Sequence, residues 1–344
     1  MIEKDKPNGW YRGIVKLSDL PKDKIYLDLN ESYKFKLYKL LINKFRNKQA
    51  IANAINENYD SIRNFFDRNQ TKSLQFIEKL MMCFGEGINM NVLEKQIKCI
   101  QVKNGRKILC PKFPMNFNTE DGAVIISMIY HDGGIHKNSL CPHYRNYERS
   151  MIEHVIRVVN KVCGKIEPRL LMNNTQVYFP KILGLIMVYG LGLSYGSKLK
   201  TNPKIPHFIH NANETVKCSF LKQAFDDEGS IDEGRNGSGR QLTFSQSSDV
   251  SNYDADKLIK IRKSNNPRYI SNIIKDDKSL LESLEINVGG PYFKQEHHSK
   301  DGRISHNWRI TISDRKNLAA FNDKISFHLK YKRNKLKRLL KSYK

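Results

Sequence analysis

Apolar side chains recur every three to four residues along much of the first quarter of the chain. This spacing predicts four helices, over residues 33–45, 49–55, 59–66 and 73–84. Before them, the alternating stretch 24–28 predicts a short edge strand or an arm. Residues 86–118 are interpreted as a connector with some strand that ends in a break between Pro111 and Pro114.

The second and third of these helices have the spacing of a helix-turn-helix, a motif that places its second helix in the major groove of DNA. The turn falls on Asn56, Glu57 and Asn58, and asparagine tolerates the left-handed backbone that such a turn requires. On this interpretation the second helix of the motif offers polar side chains to bases and phosphates: Ser61, Arg63, Asn64, Asp67 and Arg68. The alternative is a small helical bundle with a polar face.

Two later apolar runs end in the same way. The run 123–130 is followed by His131, Asp132 and Gly133, and the run 219–225 is followed by two aspartates, Glu228 and Gly229. This repetition predicts a duplicated half-domain in which two helices lie side by side and bring Asp132 and Glu228 together. The glycine after each acid lets the chain leave the helix without a Cβ clash. Taken singly, each acid-glycine pair is an ordinary helix end.

Paired carboxylates suit the hydrolysis of a phosphodiester. They are hard oxygen ligands for Mg²⁺ or Mn²⁺, and such an ion activates a water and stabilises the leaving oxygen. Two carboxylates from two half-domains also fit a reaction at two strands.

Charge points to the same class of partner. The chain carries 59 lysines and arginines against 35 acids, a formal net charge of +24, which favours a polyanion and nucleic acid above all. A membrane partner is not expected, since no apolar run reaches the roughly 18 to 20 residues that cross a bilayer. The polar N-terminus does not resemble a signal peptide, and the six cysteines include no CxxC pair. These features predict an intracellular protein of the cytoplasm or nucleoid.

The acid-glycine segments carry a family resemblance. FLKQAFDDEGS at 220–230 and AVIISMIYHDGG at 123–134 resemble the motifs of the LAGLIDADG homing endonucleases. The segments 178–198 and 307–340 are similar to the later parts of a first and a second half in that family. The resemblance covers residues 115–344 and leaves the first 110 residues unexplained.

The resemblance implies an α+β fold of two αββαββα halves, whose saddle-shaped antiparallel sheets straddle the major groove of double-stranded DNA. It implies a DNA endonuclease in which Asp132 and Glu228, with Gly133 and Gly229 beside them, bind the divalent metal. Basic residues near the ends of the halves would stabilise the transition state, and Lys198 and Lys332 fit those places, with Lys330 an alternative to Lys332. A solvated lysine is the other interpretation of each.

One strand-like segment has a polar face suited to base edges. Gln241, Thr243, Ser245 and Gln246 accompany apolar Leu242 and Phe244, so that polar side chains share one side of an antiparallel strand. We expect further DNA contacts from basic residues of the second half: Arg240, Arg309 and Lys330.

The predicted organisation has five parts: an arm at 1–30, a helix-turn-helix domain at 31–85, a connector at 86–115 and the two halves at 116–215 and 216–344. Both halves lie in one chain, so we expect a monomer with no obligatory protein partner. Two alternatives remain open, a DNA-binding regulator of the same fold that does not cut, and an intron RNA maturase.

Overall fold

The computed structural model describes residues 6–83, 89–234, 239–263 and 269–343. Its helices are α1 (Asn8–Arg12), α2 (Glu31–Phe45), α3 (Lys48–Ala54), α4 (Tyr59–Phe66), α5 (Leu74–Met82), α6 (Met90–Lys95), α7 (Glu120–Tyr130), α8 (Arg149–Cys163), α9 (Lys181–Leu185), α10 (Lys198–Thr201), α11 (His207–His210), α12 (Glu214–Glu228), α13 (Ala255–Lys263), α14 (Asn272–Ser283), α15 (Arg315–Lys324) and α16 (Lys330–Lys341). Its strands are β1 (Ile14–Val15), β2 (Tyr26–Leu29), β3 (Lys72–Ser73), β4 (Ile97–Gln101), β5 (Ile108–Leu109), β6 (Met115–Asn116), β7 (Gly133–Ile135), β8 (Pro142–Arg145), β9 (Lys165–Ile166), β10 (Arg169–Leu171), β11 (Gln176–Tyr178), β12 (Ser230–Glu233), β13 (Arg240–Asp249), β14 (Gly289–His298) and β15 (Ile304–Ile312).

Helices α7 and α12 pack against each other at the centre of the molecule. Every residue of α7 from Gly122 to Tyr130 is buried, as expected of a helix that is surrounded by other elements. Side-chain oxygens cap both N-termini, with Thr119 accepting from the Gly122 amide at 3.1 Å and Asn213 from the Val216 amide at 3.0 Å. Helices α7 and α12 begin before the apolar runs 123–130 and 219–225 from which they were predicted, because each helix opens with polar residues.

Each central helix leads into an antiparallel sheet of the same topology. The first sheet has the order β10-β11-β8-β7 and the second the order β12-β13-β15-β14. Counted within its own half, the strand order is therefore 1-2-4-3 in both sheets, with α8 or α14 between the second and third strands. This arrangement confirms the predicted α+β class and the tandem αββαββα halves. The strands of the first sheet are short, whereas β13, β14 and β15 are nine to ten residues long.

The N-terminal region differs from the prediction. The segments interpreted as an arm, 1–30, and as a connector, 86–115, contribute strands to a five-stranded sheet with the order β3-β2-β4-β5-β9. The predicted edge strand β2 is therefore an interior strand. Its alternating pattern misled because Asp28 is buried as well, through an ion pair of 2.6 Å with Lys34. Strand β9 belongs to the first half, so this sheet crosses the predicted boundary at 115/116, and the domain boundaries stay predictions.

Helices α3 and α4 lie where the helix-turn-helix was predicted and contact each other. Asn56 at the turn has a positive φ of 53°, as the asparagine there indicated. Asn47 and Asn58 cap the two helices by accepting from the amides of Ala50 and Ser61. The predicted end of the fourth helix, Phe84, lies outside the described residues.

Within the described ranges, no helix combines the length and apolar character that spanning a membrane requires.

Candidate active site

Two glycines let the chain turn from the central helices into the first strand of each sheet. A Cβ on Gly133 would lie 2.5 Å from the carbonyl oxygens of both Met128 and His143. A Cβ on Gly229 would lie 2.5 Å from the carbonyl oxygen of Phe225, and φ of Gly229 is −73°, so close approach rather than left-handed backbone excludes a side chain. The acid just before each glycine is thereby held at the end of its helix.

Asp132 and Glu228 are close enough to interact electrostatically. Burial and the charge of Glu228 together raise the pKa of Asp132 to about 6. Asn146 donates to Asp132 from Nδ2 to Oδ2 at 3.4 Å, and Gln246 donates to Glu228 from Nε2 to Oε1 at 3.2 Å. Each carboxylate therefore accepts from one amide side chain of its own half.

The two lysines predicted for the site occupy matching positions. Lys198 Nζ donates to the carbonyl oxygens of Tyr130, at 3.0 Å, and of His131. Lys332 Nζ donates to carbonyl oxygens at the end of α12, at 3.0, 2.6 and 2.8 Å: those of Phe225, Asp226 and Gly229. Each ammonium group thus lies over the C-terminus of one central helix, where its charge is favourable. Lys330, the alternative, is exposed at the start of α16.

Burial lowers the pKa of both Lys198 and Lys332, while nearby carboxylates, including Asp132 and Glu228, oppose that shift. The site therefore contains two acids and two partly desolvated cations arranged around the ends of two helices. Its symmetry follows from the duplicated halves.

Polar side chains between the helices form hydrogen bonds across the halves. Asp227 accepts from the Tyr144 hydroxyl at 2.6 Å and from Gln223 Nε2 at 2.9 Å. Asn146 Nδ2 donates to the Tyr144 hydroxyl at 3.0 Å and so joins this network to Asp132. The large polar groups at this interface are thus accommodated by hydrogen bonds between the two halves. Tyr144 and Asn146 were not predicted.

The other side of the helix pair has different chemistry. His131, in the place that corresponds to Asp227, bonds through Nδ1 to the Ser127 carbonyl at 2.8 Å, and its Nε2 lies 3.4 Å from Asp277 Oδ2. Asp277 is on α14 of the second half, and both side chains of this pair are fully buried. Two contacts therefore link the halves, Tyr144–Asp227 on one side of the helix pair and His131–Asp277 on the other.

Replacing Asp227 with Asn is expected to stabilise the metal-free protein increasingly as pH rises. Burial, with the charge of Asp132, raises the pKa of Asp227 to about 8 from an ordinary value of 3.8. Between these values the folded chain keeps the proton that the unfolded chain has lost, so wild-type stability falls with pH over that interval. The asparagine has no proton to lose.

Urea denaturation over this pH range, in EDTA, measures the effect, with the exposed Asp323→Asn as control. A stability difference between Asp227→Asn and wild type that stays constant with pH would contradict the shift.

The donor set fits a divalent cation of the magnesium type. Among the described residues, no group of three or more His, Cys, Asp or Glu could hold a metal ion. Mg²⁺, however, commonly takes one or two carboxylates and keeps several waters. Asp132 and Glu228, two neighbouring carboxylates whose like charges repel each other, meet that requirement. The carbonyl oxygen of Gly229, a predicted ligand, already accepts from Lys332.

The second sheet has a polar face, but Gln246 does not lie on it as predicted, because alternation along β13 places Gln246 on the side of Leu242 and Phe244, where it bonds to Glu228. Along β13, Leu242 and Phe244 are buried, whereas Gln241, Thr243 and Ser245 are partly exposed on the opposite side. Ser245 pairs with Arg309 across to β15, so Arg309 joins the same face. Arg240 is exposed at the start of β13, with its guanidinium 5.1 Å from the ring centre of Tyr343.

The side chains predicted from the helix-turn-helix lie in the N-terminal region. Ser61 borders a cavity beside α4, Arg63 pairs with Asp60 at 2.8 Å, Asn64 is partly buried and Arg68 is exposed. Their contact with DNA stays a prediction.

No protein-family model and no curated protein matches the chain. Several solved structures are similar in part. Full-length DUF199/WhiA from Thermatoga maritima is 13% identical, with 66% of this chain and 62% of that chain covered and a TM-score of 0.32. Mesophilic variants of the homing endonuclease I-DmoI are 12% identical, with 65% and 100% covered and a TM-score of 0.33. I-DmoI in complex with DNA and Ca is 11% identical, with 62% and 93% covered and a TM-score of 0.32.

The chain thus matches less than two thirds of the length of WhiA.

Proposed function

We propose that this chain is a site-specific, metal-dependent endonuclease of double-stranded DNA. The observation that supports it most strongly is the meeting of Asp132 and Glu228, one from each half, at the same end of the central helix pair. There the charge of one carboxylate raises the pKa of the other. Bringing like charges together is unfavourable unless a cation or a reaction makes use of them.

The carboxylates, amides and lysines of the site would have different roles in the reaction. Asp132 and Glu228 would hold Mg²⁺ or Mn²⁺, which when bound supplies Lewis-acid chemistry and a nucleophilic water at neutral pH. Asn146 and Gln246 orient the two carboxylates through their amide groups. Lys198 and Lys332 keep positive charge beside the place where negative charge develops on the phosphodiester. Because each half contributes one acid, one amide and one lysine, the arrangement suits one cut in each strand.

Recognition would use the polar face of the second sheet. Gln241, Thr243 and Ser245 have the donors and acceptors that base edges in the major groove require. Basic side chains would hold the phosphates: Arg240, Arg309 and Lys330. The helix-turn-helix side chains would add a second contact: Ser61, Arg63, Asn64 and Arg68. We expect a monomer, since the two halves together complete the site.

One observation favours a second candidate, a DNA-binding protein of the same architecture that does not cut. The ammonium groups of Lys198 and Lys332 are already bonded to helix carbonyls, which is sufficient reason for their presence. On that view the polar face and the net charge of +24 serve binding alone.

Incubation with a randomised double-stranded DNA library separates the candidates. One sample contains Mg²⁺ and the other EDTA, and both bound molecules and cut ends are sequenced. Metal-dependent cutting at one long consensus is the expected result. Enrichment of bound but uncut DNA would favour the second candidate, and no enrichment would direct attention to structured RNA and a maturase role.

A further inference from the structure

A polar groove lies between α4 and the five-stranded sheet of the N-terminal region. It encloses about 660 Å³ and is bordered by three lysines, Lys72, Lys103 and Lys107, together with the neutral donors Ser61 and Asn104. We call it the N-terminal groove. Small-molecule pockets are mostly apolar, whereas this lining consists chiefly of ammonium, amide and hydroxyl groups. Such a surface suits a phosphate backbone, which needs both charge and neutral donors.

The positive charge of the groove is offset only in part from within. Its one acid, Glu57, pairs with Lys79 at 2.8 Å. Across the part of the chain that the structure describes, none of the three groove lysines forms an ion pair with a carboxylate. Burial lowers the pKa of Lys72 although the charge of Glu57 opposes this shift, so a phosphate beside Lys72 would add to the stabilisation of its charged form.

The groove adjoins the sheet of the first half. Lys103, Asn104 and Lys107 belong to the turn between β4 and β5, and Arg106 of that turn donates to the carbonyl oxygens of Tyr178 and Phe179, each at 3.3 Å. Tyr178 is the last residue of β11 in the first sheet.

The strands give a second connection. Strand β9, at the edge of the N-terminal sheet, is followed after two residues by β10 of the first sheet. These connections place the groove next to the first half.

We propose that the N-terminal groove binds the sugar-phosphate backbone of the duplex DNA that flanks the first half, so that the recognised site extends further on that side than on the other. This inference rests on the DNA binding in the proposed function and not on cleavage. It assigns the phosphate contacts to Lys72, Lys103 and Lys107, beside the helix-turn-helix side chains.

The test compares two triple variants of equal charge. The first carries Lys72→Gln, Lys103→Gln and Lys107→Gln, and the control carries Lys36→Gln, Lys39→Gln and Lys95→Gln, at exposed positions outside the groove. Affinity for a selected duplex is measured over a series of salt concentrations. Each lost phosphate contact lowers the slope of log K against log salt by about 0.9, so we expect the groove variant to lose about 2 to 3 units and the control less than one.

Hydroxyl-radical footprints locate the contact. The groove variant should lose protection on one flank only, and on a duplex shortened by that flank it should bind as wild type does. Equal slopes for both triple variants, an unchanged footprint or an equal loss on the shortened duplex would overturn the assignment, the last because it would show that the lost contact does not lie on that flank. Absence of DNA binding by the wild type would overturn it as well.

Cleavage is scored separately in the same samples. At saturating protein the control triple variant should cut within about threefold of wild type, since its three lysines lie outside both the groove and the carboxylate pair. A wild-type protein that shows the extended footprint without cutting would refute the nuclease and leave the groove assignment standing.

Discussion

Asp132→Asn and Glu228→Gln are each expected to slow DNA cleavage by about 10³-fold or more, a loss of about 4 kcal/mol of transition-state stabilisation. Each replacement removes a carboxylate from a pair that is placed to hold a metal, while the shape of the side chain is kept. Binding of the uncut duplex should stay within about threefold, because sheet and phosphate contacts supply it. Single-turnover cleavage and titration of binding on the same duplex measure the two effects.

Exposed acids provide the controls for this experiment. Glu153→Gln on α8 and Asp323→Asn on α15 remove the same charge, away from the C-termini of α7 and α12. Both variants should cut as wild type does. A parallel loss of binding and cleavage in Asp132→Asn and Glu228→Gln would mean that the acids maintain the fold and do not act on the phosphodiester.

Gly133→Ala is expected to lower the free energy of unfolding by about 1 to 3 kcal/mol. The added methyl would overlap two backbone carbonyl oxygens, and moving these would distort the helix end and the neighbouring strand. It should also slow cleavage by about 10²-fold, since a shift of about 1 Å in Asp132 spoils its alignment. Gly134→Ala is the matched control one residue away. A Cβ there would lie nearest to the His143 side chain, at 3.1 Å, and would meet no backbone atom within 4 Å.

Chemical denaturation and single-turnover cleavage compare the two alanine variants. If Gly133→Ala and Gly134→Ala behave alike, the close approach at Gly133 does not determine where Asp132 lies.

Local patterns predicted much of the frame correctly. The helix-turn-helix needed only apolar spacing and an asparagine suited to left-handed backbone, and Asn56 adopts it. The duplicated acid-glycine pattern predicted two matching halves, which the shared 1-2-4-3 strand order bears out. Lys198 and Lys332 were placed by resemblance, and both lie at the ends of the central helices.

What the sequence did not predict depends on partners far apart in the chain. Tyr144 and Asp227 are 83 positions apart, and His131 and Asp277 are 146 apart, so no local pattern links them. The N-terminal sheet was missed because β3, β5 and β9 have only two residues each, too few for a periodicity. In each case a distant contact, rather than the local sequence, determines the outcome.

The most direct test of the paired carboxylates is a double-mutant cycle on strand cleavage. Wild type, Asp132→Asn, Glu228→Gln and the double variant are compared under single turnover with Mg²⁺, and each strand is followed separately. If the two acids act as one centre, the double variant is no slower than either single variant, since the first replacement already disables the unit. Losses that multiply in the double variant, or cleavage by the double variant at the wild-type rate, would contradict the account.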